Sequence, residues 1–186
     1  MTLAQIMRLA LRQLDEDEED ISEYEDVFRV YANAGYRIAV NAFLKPRQER
    51  TLMTDETGTA DFAGTDIMRV VGVRRGGQGI LFDHLPGGSA IGTACPNAEL
   101  TAVCEITYPP MNELTDEPKL PEHVHAALAD FICYRHLSSG SLAKQSRAQH
   151  FQQLFSLEMQ RLRPDGFGSV TRFKGLYAVT DMRYRG

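Results

Sequence analysis

The stretch from Leu120 to Leu162 constrains the fold most, because it predicts two helices joined by a short polar turn. Pro121 suits the first helical position, where its missing N–H leaves no bond unmade. Apolar residues then recur at spacings of three and four on both helices. They are Val124, Ala127, Leu128, Phe131 and Ile132 on the first, and Leu142, Phe151, Leu154, Phe155, Met159 and Leu162 on the second. The turn at residues 138–141 is too short for anything but antiparallel neighbours, so we predict an αα-hairpin whose apolar stripe another element must cover.

A long helix from Ser22 to about Leu44 is the predicted cover for that stripe. Ser22, with Glu25 three residues later and Ile21 before it, matches a capping box with a hydrophobic staple. Gly35 costs about 1 kcal/mol relative to alanine inside a helix, which indicates that another helix packs closely there. Its apolar face is formed by Tyr24, Val27, Phe28, Tyr31, Ala34, Ile38 and Ala42. This helix and the αα-hairpin together predict a three-helix core.

Residues 47–118 lack helical periodicity and predict a small antiparallel β-unit inserted between the helices. Alternating and β-branched runs indicate strands, with Glu49–Met53 as an edge strand. The other runs are Asp66–Arg74, Ile80–Phe82 and Glu99–Tyr108. We therefore expect a mainly α fold with a β insert. The expected organisation is a single helical domain over residues 1–164, with the insert at about 47–118, and an extended C-terminal arm over residues 165–186.

The glycine-rich run at residues 75–79 lies between the predicted strands Asp66–Arg74 and Ile80–Phe82. A phosphate-binding loop would continue into Gly-Lys-Ser/Thr and open a helix, and this run does neither. The pattern therefore favours a hairpin turn without a phosphate function. A second turn at residues 86–88 is expected to close that pair of strands.

Composition and charge limit the classes of function. The net charge of −5 gives no general case for nucleic-acid binding, and 43% hydrophobic residues suffice for a real core. No apolar run approaches the ~18 residues that span a bilayer, so no membrane partner is expected. The N-terminus has neither a basic segment nor a small-residue cleavage site, so we expect no signal peptide.

The N-terminal residues Thr2–Leu14 predict a short amphipathic helix capped by Thr2. Six consecutive acidic residues follow, Asp15–Asp20. Such dense like charge disfavours packing and indicates a solvated link. A divalent-metal loop is the alternative, but the glycine and the oxygen-ligand spacing of an EF-hand loop are absent.

Residues with catalytic or ligating chemistry are few and scattered. Cys95, Cys104 and Cys133 are widely spaced, which favours buried, reduced thiols. Cys133 and His136 share a helical face, but no acid or third ligand lies within reach in the sequence. Neither a Gly-x-Ser-x-Gly nor a His-Glu-x-x-His pattern occurs. We expect no enzymatic activity, no cofactor and no metal.

The C-terminal arm, residues 165–186, is basic, aromatic and interrupted by glycines. A tail that is merely tolerated at a terminus is usually polar and poor in aromatics, so this one is expected to dock onto a partner. Fold-back onto its own domain is the alternative. Aromatic and arginine side chains favour protein interfaces, and the predicted partner-binding residues are Phe167, Arg172, Phe173, Lys174, Tyr177, Arg183, Tyr184 and Arg185.

The run LPEHVHAALADFICYRHL, followed by a polar break and a second helix rich in Lys, Gln and Arg, resembles the C-terminal half of tailed-bacteriophage head-to-tail adaptor proteins. The resemblance is carried by Leu120-Pro121, by Ala126–His136 and by Lys144–Leu162. It implies a structural virion protein, made in the host cytoplasm, that forms a ring beneath the portal, commonly of twelve copies. DNA passes through the ring channel to the tail without sequence-specific contacts.

The partners that the resemblance implies are the portal protein, a tail or stopper protein, and other copies of the chain. The portal is the expected target of the C-terminal arm. Two alternatives stay open from the residues: another phage morphogenesis part, such as a stopper or tail-completion protein, and a non-viral α+β module that binds a small ligand.

Overall fold

The computed structural model describes residues 1–17 and 21–162, and in this part of the chain the fold is α+β. Four α-helices are combined with seven strands in two antiparallel sheets. The chain divides into two compact units. The helical unit holds Met1–Lys45 and the chain from Tyr108 to the end of the last helix, and the β-unit holds Pro46–Thr107.

The helical unit is arranged around its third helix. Its helices are α1 (Leu3–Leu14), α2 (Ile21–Ile38), α3 (His125–Leu137) and α4 (Leu142–Arg161). A π-helical turn over Ala39–Leu44 continues α2, and a 3₁₀ turn over Glu122–Val124 leads into α3. The other three helices all pack against α3, and nine of its 13 residues are buried. Packing against three helices explains why apolar residues extend over most of the circumference of α3.

The predicted three-helix core is wrong, and so is the prediction of a mainly α fold. α1 adds a fourth helix to the core, because its apolar stripe is completely covered. Its buried residues are Leu3, Ile6, Met7, Ala10, Leu11 and Leu14. The first turn is also held by two backbone bonds, from Leu3 N to Asp116 O and from Ala4 N to Leu114 O. Separate sheets with their own buried side chains make the fold α+β.

The αα-hairpin and its contact with α2 agree with the sequence analysis. Phe131 and Phe155 are buried in one cluster with Phe28, and the rings of Phe131 and Phe155 lie 4.8 Å apart. Gly35 allows the close approach of α2 to α3, since a Cβ there would lie 2.9 Å from Phe131 Cδ1. These predictions are confirmed.

Two local predictions within the helices are wrong. Ser22 lies inside α2, which already includes Ile21, so it does not occupy the N-cap of a capping box. Glu25, its expected partner, instead accepts a bond from Arg29 one turn along the helix. Leu142 was assigned to the apolar stripe of the hairpin but is 85% exposed. It is the first residue of α4, and the first buried residue of that helix is Ala148.

The β-unit consists of a four-stranded and a three-stranded antiparallel sheet. The larger has the order β1-β7-β3-β4, with β1 (Arg47–Met53), β7 (Glu99–Ile106), β3 (Ile67–Arg75) and β4 (Gln78–Ile80). The smaller has the order β2-β6-β5, with β2 (Thr59–Asp61), β6 (Ala90–Thr93) and β5 (Phe82–His84). Strict alternation on β7 buries Leu100, Ala102, Cys104 and Ile106 on one face.

The two predicted glycine turns have different outcomes. Gly76 and Gly77, with φ of +56° and +84°, join β3 to β4 in a two-residue turn, so the predicted hairpin is present. Its returning strand is Gln78–Ile80 and not the predicted Ile80–Phe82, because Gln78 and Gly79 already pair with β3. The turn at residues 86–88 does not close the same pair. It connects β5 to β6, because the chain leaves the larger sheet at Leu81 and then pairs in the smaller one.

Candidate interaction surface

The eight residues predicted to bind a partner, Phe167 to Arg185 of the C-terminal arm, lie outside the described residues. Their role stays a prediction. A candidate site is therefore sought among the exposed and buried side chains of the described residues.

The most distinctive of these features is an apolar stripe along α2 that is largely exposed in the described part of the helical unit. We call it the α2 stripe; it consists of exposed Val27, Val30 and Ile38 and of Ala34, which is partly buried and also packs against the core. Val30 is 65% exposed, and Val27 and Ile38 are also exposed. Successive residues of an α-helix are 100° apart, so spacings of three, four and four place the side chains within an arc of roughly 80°.

The α2 stripe is separate from the face of α2 that builds the core. The core face is formed by Phe28, Ala32, Gly35 and Tyr36, all of which are buried. The centres of the two faces lie roughly 150° apart around the helix axis. A helix with one partner needs a single apolar face, so the second face indicates a further partner.

Charged side chains border the α2 stripe unevenly. Exposed Glu23 and Asp26 lie at its N-terminal end, one turn before Val27 and Val30, and the side chain of Asp26 is fully exposed. The acidic run that begins at Asp15 precedes this end of α2. Arg37 is the exposed basic residue near the other end. One end of the stripe is therefore strongly acidic.

The sequence analysis missed this surface because it assigned the apolar residues of α2 to one broad face. Val27, Ala34 and Ile38 were counted with Phe28 as core. The signal was present, since apolar residues at 27, 30, 34 and 38 run parallel to a second series at 28, 32, 35 and 36. Two such series occupy more of the circumference than one buried face can use.

A second candidate is the buried polar cluster between α1 and α3. Asp130 Oδ1 accepts a bond of 3.0 Å from Gln13 Nε2, and Cys133 Sγ donates to Gln13 Oε1 at 3.2 Å. Burial raises the pKa of the Cys133 thiol to about 12, so it stays protonated and is a poor nucleophile. Every polar group in this cluster has a protein partner, which is typical of structural packing.

His136, which the sequence placed on the same helical face as Cys133, contacts a different helix. Its ring lies edge-on to Tyr24 and Phe28 of α2, at 5.8 and 5.6 Å, whereas Cys133 faces α1. Burial lowers the pKa of His136, and the nearby positive charge of Lys144 acts in the same direction. The structural interpretation of this pair agrees with the geometry.

Asp130 makes stability depend on pH. Burial raises the pKa of its carboxyl group from 3.8 to about 6. The hydrogen bond from Gln13 lowers this pKa, the charge of Glu158 raises it, and the charge of His150 lowers it. The folded state therefore holds the proton more tightly than the unfolded state. Stability is expected to fall as pH rises from about 4 to 6 and then to level off, with this group contributing at most about 3 kcal/mol.

Asp130→Asn should remove that fall, because asparagine keeps the acceptor for Gln13 without a buried charge. Urea unfolding of both proteins between pH 4 and 8 tests this. The variant should be the more stable protein above pH 6 and lose its advantage at pH 4. Parallel curves across the range would contradict the assignment.

No protein-family model matches this chain, and no curated protein matches it. The connector resemblance therefore depends on the residues quoted above. Within residues 1–17 and 21–162, no three His, Cys, Asp or Glu side chains are grouped as a metal site. No helix in that same part of the chain is long and apolar enough to cross a bilayer.

Proposed function

We propose that the protein is a structural virion subunit, a head-to-tail adaptor that assembles as a ring beneath the portal of a tailed phage. The α2 stripe is the observation that carries this proposal. Exposed apolar side chains on a rigid helix, bordered by charged residues, mark a surface that another protein covers. The αα-hairpin that bears the family resemblance corresponds to α3 and α4.

The helical unit suits repeated assembly because its contact surface is held rigidly. Phe28 anchors α2 in the core one residue from Val27, and Gly35 brings the helix close to α3 one residue from Ala34. The stripe therefore loses little conformational freedom when a partner binds, and this lowers the entropic cost of association. A subunit used many times in one ring benefits from such a preformed surface.

The charge of the chain is compatible with a DNA channel. Binding through many phosphate contacts requires clustered Lys and Arg side chains, and it would retard the passage of DNA. This chain carries a net charge of −5, and exposed Glu23 and Asp26 border the α2 stripe. DNA is accordingly proposed to pass the ring without sequence-specific binding.

Co-expression of the full chain with its cognate portal protein tests the proposal. Rings in which this chain is stacked on the portal are expected by electron microscopy and native mass spectrometry. Persistence of the chain as a monomer beside free portal rings would contradict the proposal.

Val30→Asp is expected to abolish ring assembly, since it places a charge in the middle of the α2 stripe. Its melting temperature should stay close to that of the wild type, because an exposed position usually changes stability by no more than ~0.5 kcal/mol. Leu142→Asp is the matched control, being an exposed leucine on α4 outside the stripe. The control should assemble normally, and equal loss in both variants would rule out a specific α2 interface.

A further inference from the structure

We infer that the α2 stripe is the docking site for the C-terminal arm, residues 165–186, of a neighbouring copy of this chain. This inference rests on the proposed ring-forming function, to which it adds the occupant of the stripe. It replaces the portal as the target of the arm.

Charge complementarity favours the arm as the occupant. The arm contains four basic residues, Arg172, Lys174, Arg183 and Arg185, and two acidic ones, although the whole chain carries −5. The N-terminal end of the α2 stripe is bordered by Glu23 and Asp26 and is preceded by the run of six acids. The net positive charge of the arm is thus opposite to the charge at this end of the stripe, which favours encounter and orientation.

The apolar chemistry matches as well. The stripe offers the exposed aliphatic side chains of Val27, Val30 and Ile38. Phe173 and Tyr177 in the arm are large, and their few rotatable bonds lower the entropic cost of fixing them in a shallow apolar site. Lys174 lies beside Phe173 in the sequence, so a ring seated on the stripe brings a cation to its border.

The length of chain beyond α4 sets how far the arm can reach. Phe173 lies eleven positions after Leu162, and eleven steps along an extended chain span up to about 35–40 Å. The stripe from Val27 to Ile38 is about 16 Å long. A reach of this size allows the arm to extend beyond its own α4 toward another subunit.

The symmetry of a ring requires that the arm bind the α2 stripe of a neighbouring copy and not that of its own copy. Contact of one subunit's arm with the next subunit's α2 is heterologous and repeats until the ring closes. Contact of α2 with α2 would be isologous and would end at two copies. Fold-back of the arm onto its own α2 would leave the ring without this contact.

Disulfide trapping in the complex with the portal tests the inference. One population of the full chain carries Val30→Cys and a second carries Tyr177→Cys, both with Cys95→Ser because Cys95 is the native thiol that is not buried. After mixed assembly and mild oxidation, a disulfide-linked heterodimer is expected on a non-reducing gel. Leu142→Cys in place of Val30→Cys is the matched control and should give no heterodimer.

A chain with both cysteines then separates neighbouring from internal docking. A ladder of covalent multimers is expected. Cross-linked monomers would show fold-back, and dimers formed by Val30→Cys alone would show α2–α2 pairing; either result overturns the inference. Rings that form on the portal without any cross-link would overturn it while leaving the proposed function intact, whereas a failure to form rings at all is a failure of that function.

Charge exchange supplies an independent readout. Glu23→Lys combined with Asp26→Lys should reduce the heterodimer yield on the order of tenfold at low salt. Arg172→Glu combined with Lys174→Glu in the arm should restore it. Lack of rescue would overturn the pairing of these charges.

Discussion

Replacing Phe131 with alanine is expected to lower the free energy of unfolding of the helical unit by about 3–5 kcal/mol. Phe131 is 7% exposed and lies where α2, α3 and α4 meet. Its ring is 4.8 Å from that of Phe155 and 5.7 Å from that of Tyr134, so truncation removes two aromatic contacts as well as buried area. The gap cannot close easily, because three helices hold its walls.

Urea unfolding, monitored by circular dichroism, measures this loss. An unchanged m-value, the slope of the unfolding free energy against urea concentration, indicates that the native fold is intact. Leu142→Ala is the control, since Leu142 is exposed and should change stability by no more than ~0.5 kcal/mol. A Phe131→Ala protein with wild-type stability would show that the helices do not meet at this side chain.

Gly35 sharpens the same test, because the cost of changing it should depend on the ring of Phe131. In the wild type, Gly35→Ala places a Cβ 2.9 Å from Phe131 Cδ1, so the ring must shift and stability falls by about 1–3 kcal/mol. In the Phe131→Ala background the ring atoms at 2.9 and 3.0 Å are gone and only the Cβ of residue 131 stays close, at 3.2 Å, so Gly35→Ala should cost less. A double-mutant cycle with no coupling would contradict the close packing.

Gly58→Ala is expected to destabilise the β-unit by about 2–5 kcal/mol. Gly58 has φ of +81°, which costs a residue with a Cβ about 1–2 kcal/mol. The added Cβ would also lie 2.2 Å from the carbonyl oxygen of Thr93, a backbone atom that cannot move without breaking the bond from Thr93 N to Gly58 O. The overpacking adds a further 1–3 kcal/mol or so.

Gly77→Ala is the matched control for Gly58→Ala. Its φ of +84° is nearly the same, but no atom lies within 4 Å of the added Cβ. The control should therefore show only the cost of the left-handed conformation. Amide hydrogen exchange of β2 and β6 measures both variants in the β-unit, and equal loss of protection would contradict the steric explanation.

Elements with a strong local pattern were predicted well from the sequence. The αα-hairpin, the long helix before Pro46, the β3–β4 turn and the strand at β7 all appear near their predicted positions. Each is specified by residues close together in the chain: apolar spacing for the helices, glycines with positive φ for the turn, and alternation for the strand. These elements agree with the prediction because their geometry is determined by residues that are close together in the sequence.

Elements that depend on distant partners were predicted poorly. The amphipathic pattern of α1 showed a helix but not its partner, and α1 entered the core only because α3 has a further apolar side to cover. Likewise, residues 80–84 contain too few positions to show that the chain changes sheets at Leu81. Pairing of short strands is decided by the available neighbour, which local sequence does not encode.

The candidate surface was likewise predictable in its local features and unpredictable in those that depend on distant contacts. The sequence by itself determined that α2 would be a helix rich in apolar residues, that its N-terminal end would be acidic, and that the arm would be basic and aromatic. Only the tertiary structure decided that Phe28, Ala32, Gly35 and Tyr36 pack inward and that the α2 stripe is left exposed. The physical reason is that spacing specifies which side chains share a face, whereas burial depends on where the rest of the chain can pack.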